Sequence, residues 1–184
     1  MPLRGETWTY WVQPCTQELA AESRCEPADS ELGAWALEAW RKASDGGLKV
    51  TAEKDERKAR LRIYWASGRT QLYGETRSID VDGKRGAIIY VLPDVAALGR
   101  DIAEAGRKDK LFRDSIVYLT CLHESGHALG LPHTADFADI MYSFQYGGDI
   151  VEYFARYRRA LTERKDIAKV SGISKRDRQA LLAP

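Results

Sequence analysis

Apolar and polar positions along this chain follow two periods, one close to 2 and one close to 3.6, and the switches between them outline its elements. Residues 7 to 12, Thr-Trp-Thr-Tyr-Trp-Val, are β-branched or aromatic and predict a strand, ended by Pro14. After Pro27, with Asp29 and Ser30 as capping residues, Leu32, Trp35, Leu37, Ala39, Trp40 and Ala43 recur near helical spacing until Gly46 and Gly47. Its tryptophans read as core packing. Leu48 to Ala52 and Arg60 to Ala66 predict two more strands. In the second, Leu61, Ile63 and Trp65 alternate with Arg60, Arg62 and Tyr64, so one face is buried. The charged run Glu53 to Lys58 between them reads as a solvated turn.

A turn-rich stretch containing Gly74 and Asp80-Val81-Asp82-Gly83 leads into Gly86 to Leu92, an apolar strand closed by Pro93. From Asp114 to about Gly130 the spacing is helical and sets Ile116, Leu119, His123 and His127 on nearly one face, before Gly130 and Pro132 break it. A later helix is predicted from about Asp149 to Lys165. It carries Ile150, Tyr153, Phe154, Tyr157 and Leu161 opposite a solvated basic face of Arg156, Arg158, Arg159 and Arg164. Ser174-Lys175-Arg176-Asp177 has the form of a capping box and opens a terminal helix through Leu182. Strands and helices in this order predict an α+β fold, and no internal repeat or low-complexity linker divides it.

The 184 residues, 44% of them hydrophobic, suit one domain spanning 1–184. Lys plus Arg total 28 against 27 for Asp plus Glu, and the net charge of +1 gives no electrostatic case for nucleic acid or an anionic membrane as partner. No run approaches the roughly 18 consecutive apolar residues of a membrane span. The opening MPLRGETWTYW lacks a secretory signal's apolar stretch, though a leader removed earlier is compatible with it. Cys15 and Cys25 can pair if the compartment is oxidising, and Cys121 reads as a small buried hydrophobe. Asp80 and Asp82 resemble a fragment of a calcium loop without its later acidic ligands; the reading is a plain turn, with calcium left open.

One segment carries chemistry. His123-Glu124-Ser125-Gly126-His127-Ala128-Leu129-Gly130-Leu131-Pro132-His133 fits HExxHxxGxxH at every fixed position, and the chain's three histidines all lie within it. Four residues apart on a helix, His123 and His127 project one turn apart from the same face and can reach one ion. Gly130 can end the helix in a left-handed conformation, bringing His133 in from another direction. Three imidazoles with one open position make a catalytic zinc site, and Glu124, beside the first ligand, is placed as general base for a metal-activated water. A bare HxxxH is as readily a packing feature. Glu124, Gly130 and His133 together turn the balance to metal.

On these residues the sequence resembles the metzincins and, within them, the matrixins, the family of the matrix metalloproteinases. Thr134 stands where matrixins usually have Ser, and Asp139-Ile140-Met141-Tyr142 looks like the Met-turn, with Met141 under the zinc. The resemblance implies a metzincin-like zincin fold: a twisted mixed sheet with an edge strand at the cleft, an active-site helix, the Met-turn and a C-terminal helix. Residues 1–130 would form the upper subdomain and 131–184 the lower. It makes the strand Ala87 to Leu92 the sheet edge, binding an extended substrate through Ala87, Ile88, Ile89 and Tyr90, with Tyr142 also at the site. It implies one catalytic Zn²⁺ and a monomeric, secreted endopeptidase acting on polypeptides.

There are departures. No histidines remain for a structural zinc, which is not expected, and no cysteine-switch motif is present. Ser143 replaces the Pro that commonly follows Met-Tyr, and Ser174 lies 33 positions after Met141. This extension, residues 143–170 with Phe144, Tyr146, Tyr153 and Tyr157, is expected to reshape the primed-side pocket. Tyr142 directly follows Met141, so the tyrosine ligand of astacin-type members is not carried over. Two alternatives stand beside the endopeptidase: a catalytically silent zinc-containing binding module, and a zinc hydrolase of non-peptide amides.

Overall fold

The computed structural model describes residues 6–67 and 74–183. Strand β1 (Thr7–Val12) is followed by helices α1 (Gln17–Ser23) and α2 (Asp29–Ala43), then β2 (Lys49–Ala52) and β3 (Leu61–Trp65). A hairpin of β4 (Gly74–Val81) and β5 (Lys84–Val91) precedes α3 (Arg100–Lys108) and α4 (Lys110–Ala128). Helices α5 (Ile150–Arg158) and α6 (Lys175–Leu182) complete the chain. The strands form one mixed sheet in the order β2-β1-β3-β5-β4, with β4 antiparallel to β5 and the other pairs parallel.

The alternation in β3 works as its sequence predicts: Leu61, Ile63 and Trp65 are buried while Arg62 and Tyr64 are only partly so. Helix α2 lies close over this face, with Gly33 against Val12 and Ile63. Helix α4 packs beside α2, and the Trp40 indole N–H donates to the Leu122 carbonyl at 2.9 Å. Asp29 at the start of α2 forms a buried ion pair with Arg113 of α4. Cys15 and Cys25 are disulfide-bonded, their Cα atoms 5.9 Å apart, and tie α1 to the chain entering α2. Cys121 is a free, fully buried thiol.

The sheet edge is not where the sequence suggested. Strand β5 lies inside the sheet, pairing Leu61 with Ala87 on one side and Glu75 with Tyr90 on the other, so the main chain of Ala87, Ile88, Ile89 and Tyr90 is engaged on both sides. Ala87 and Ile89 point into the core. The edge on this side of the sheet is β4, which the sequence reading took as turn-rich. Its residues, Gly-Glu-Thr-Arg-Ser-Ile-Asp-Val, are mostly polar, so no sustained apolar alternation announces the strand. Asp82 and Gly83, with φ of 52° and 73°, form the two-residue turn that a tight hairpin requires, while Asp80 and Val81, read from the sequence as part of the turn, belong to β4.

Helix α4 begins before Asp114, because Asp109 caps it by accepting from the Leu111 and Phe112 N–H groups at 3.0 and 3.2 Å. Helix α5 stops at Arg158 instead of reaching Lys165. The Asp166 carboxylate accepts from the N–H groups of Thr162 and Glu163, both at 3.0 Å, and starts a separate 3₁₀ turn, Arg164–Ala168. The basic face is not simply solvated either: Arg158 pairs with Asp109 at 2.7 Å and Arg164 with Asp114 at 3.1 Å, anchoring this segment to the start of α4. The capping box of Ser174 and Asp177 is present at the start of α6. No helix among the described residues is long and apolar enough to cross a membrane.

Candidate metal centre

Helix α4 delivers His123 and His127 on its last two turns and then ends sharply. Gly130 takes φ of +97°, its N–H donating to the His127 carbonyl and that of Leu131 to the Gly126 carbonyl, both at 2.9 Å. This is the paired closure that a glycine after the C-cap permits. It also turns the Leu131 carbonyl back to within 2.9 Å of His127 Nδ1. The Ile140 carbonyl meets His123 Nδ1 at 2.7 Å. A carbonyl oxygen can only accept, so each ring donates from Nδ1 and, in its neutral form, presents a lone pair at Nε2.

His133 arrives beyond the turn with its Nε2 3.2 Å from that of His123 and 3.0 Å from that of His127. Tetrahedral ligands about 2.0–2.1 Å from a zinc ion lie roughly 3.3 Å apart, close to both spacings to His133, and the ligand nitrogens all lie within 4.8 Å of one another. A third ring N–H can satisfy only one of the two facing lone pairs. A single divalent cation satisfies all three nitrogens. Among the described residues this is the group of side chains placed to hold a metal. Burial pushes His123 down to about 4, so its ring is neutral and available as a ligand over the whole physiological range.

Glu124 is buried beside these rings. Its carboxylate Oε2 accepts from the Thr76 hydroxyl at 2.7 Å, and a Cβ on Gly74 would overlap Oε1. Burial pushes the carboxyl up to about 7, against the lowering effect of the Thr76 hydrogen bond and with a further rise from the Glu75 charge. A dication held by the three imidazoles would pull it back down.

The turn bearing Met141 is fixed from two sides. Met141 is buried against Gly126, where a Cβ would collide with its sulfur, so the glycine within the HExxH segment serves the packing of that turn. Asp177, buried at the start of α6, accepts from the Ile140 N–H at 2.8 Å and the Met141 N–H at 3.3 Å. Tyr153 of α5 donates to the Asp139 carbonyl at 2.9 Å and reaches that of Ile140 at 3.3 Å.

The three histidines and Glu124 line a cavity of about 360 Å³, walled on its apolar side by Leu119, Tyr142, Phe144, Tyr153 and Phe154. Three of these come from the 143–170 extension, which shapes the cavity without filling it. The Tyr142 hydroxyl donates to the Gly147 carbonyl and is thereby committed away from the histidines. Ala87, Ile88, Ile89 and Tyr90 take no part in the cavity; Gly74, Glu75 and Thr76 of β4 form that side instead. Thr76, Gly126 and the hydrogen bonds of Tyr153 and Asp177 to the Met141 turn went unread in the sequence, although Tyr153 was expected at the pocket and Asp177 in a capping box.

A conserved-family model for the matrixins matches residues 4–152, and the chain belongs to that family. Its similarity to curated relatives is partial. Interstitial collagenase of Oryctolagus cuniculus is 33% identical over 72 residues, and that of Sus scrofa 36% over the same length. In each case the match covers 38% of this chain and 15% of the relative. No solved structure matches the chain significantly. Family membership implies zinc, and the histidine triad is a group of side chains that could hold a metal ion.

Proposed function

We propose that this chain is a zinc-dependent endopeptidase in which His123, His127 and His133 hold one Zn²⁺ and Glu124 is the general base. The observation that carries the reading is the convergence of three Nε2 atoms, two of them presenting lone pairs when their rings are neutral, in a cavity shared with a buried carboxylate. When bound, zinc supplies Lewis acidity, acidifying a coordinated water and polarising a carbonyl oxygen. Glu124 takes the proton from the attacking water and returns it to the leaving amine nitrogen, a role worth about 10² to 10⁴ in rate. Met141 supplies an apolar floor that keeps the ligand rings from shifting. An extended substrate adds to the edge of β4 that no other strand pairs among the described residues, where main-chain hydrogen bonds give affinity and the aromatic-walled cavity takes one side chain. The Cys15–Cys25 bond suits a protein working outside the reducing cytoplasm.

The test is metal analysis with a peptide-library digest. One zinc per chain and cleavage within peptides are expected, with Glu124→Ala keeping the zinc and losing turnover. Undiminished cleavage by that variant would remove the base from the mechanism. A silent binding module has no use for a buried carboxylate on the cavity wall, which weighs against that alternative.

A further inference from the structure

The strand at the sheet edge does more than border the cavity. Thr76 Oγ1 lies 2.7 Å from Glu124 Oε2 and 2.9 Å from the Glu124 main-chain carbonyl, so one hydroxyl meets both ends of the same residue. Two positions earlier, Gly74 presses its bare Cα against the other carboxylate oxygen. Glu124 is therefore held across the gap between α4 and β4, by contacts that neither the helix nor the HExxH segment supplies.

We propose that Thr76 is a positioning residue for Glu124, its hydroxyl fixing the carboxylate rotamer while Gly74 leaves room for it; this rests on the endopeptidase reading above. A hydroxyl has one proton and can also accept. Facing an ionised carboxylate, it donates to Oε2. The contact also joins the base to the strand that ends the sheet among the described residues, so an extended peptide added there would be seated by the same few residues that aim the base.

The variants are Thr76→Val, which keeps the shape and β-branching but has no hydroxyl, and Thr76→Ser, which restores the hydroxyl. In zinc-loaded protein, Thr76→Val should lower kcat about 10- to 100-fold, the scale of one lost charge-assisted hydrogen bond and a loosened reacting group, while KM stays within about twofold. Thr76→Ser should recover most of kcat. Infrared difference spectra supply a readout free of turnover: the carboxylate band identified by its loss in Glu124→Gln should shift in Thr76→Val and return in Thr76→Ser. An unshifted band overturns the contact. A shifted band with unchanged kcat overturns its role in catalysis, as does a loss of rate that Ser fails to rescue or that matches a loss of zinc or thermal stability. If the wild-type protein cleaves no peptide, the endopeptidase reading fails by itself, and the infrared comparison still decides whether Thr76 holds the carboxylate.

Discussion

At the scale of single residues, the histidines and Glu124 were legible because their geometry is local: four positions make one helical turn, and the glycine that ends the helix lies three positions further on. Thr76 was not, since it meets Glu124 across 48 residues of sequence and nothing in a lone threonine announces a partner. Gly130 gives the sharpest test of the local geometry. Its φ of +97° disfavours any side chain, so Gly130→Ala should cost about 1 kcal/mol or more and displace the Leu131 carbonyl from His127. Thermal melting and a competitive zinc titration should both report the loss; unchanged zinc affinity would show that His127 needs no such support. The thiol of Cys121 gives an opposite case, a group made inert by its surroundings. Burial raises it far above its ordinary value, so it should resist thiol reagents until the protein unfolds, and labelling of the native protein would contradict that.

At the scale of elements, the strands and helices with a strong apolar period were readable, and those without one were not. Strand β3 and helix α2 declare their buried faces, whereas β4 is an edge strand of polar residues and α3 and α1 bury little. Misplacing the edge at β5 followed directly, because a run as apolar as Ala87 to Leu92 is apolar for being enclosed on both sides. The Cys15–Cys25 bond closes a loop of ten residues, for which chain entropy gives about 2–3 kcal/mol. The double serine variant should unfold at correspondingly lower denaturant, and an unchanged midpoint would mean that α1 is held by packing alone. Helix α6 matters through Asp177. Its carboxylate serves both its own helix and the Met141 turn, so Asp177→Ala should cost more than the about 1 kcal/mol of a helix cap alone. A loss of only that size, read from denaturant unfolding, would reduce Asp177 to a cap.

Across the whole molecule, the candidate centre is assembled from separate stretches: a helix, the turn after it, and a return of the chain pinned by α5 and α6. A cation binding only the folded form stabilises it by mass action, by about 4 kcal/mol at a thousandfold excess over Kd. Zinc should therefore raise the melting temperature and a chelator lower it, with His133→Ala abolishing the difference. The extension after Ser143 shows best what sequence could and could not convey: its aromatic content pointed to the cavity, but the break after Arg158 and the ion pairs of Arg158 and Arg164 depend on acidic partners far away in sequence.

The Ile140 oxygen is reached by an imidazole on one side and by the phenol of Tyr153 on the other. Wall and ligand are thereby braced on one atom. A guest large enough to lever the phenol outward would slacken the brace on the imidazole as well, so oversized guests are disfavoured twice, once by crowding and again by a weakened hold on the ion.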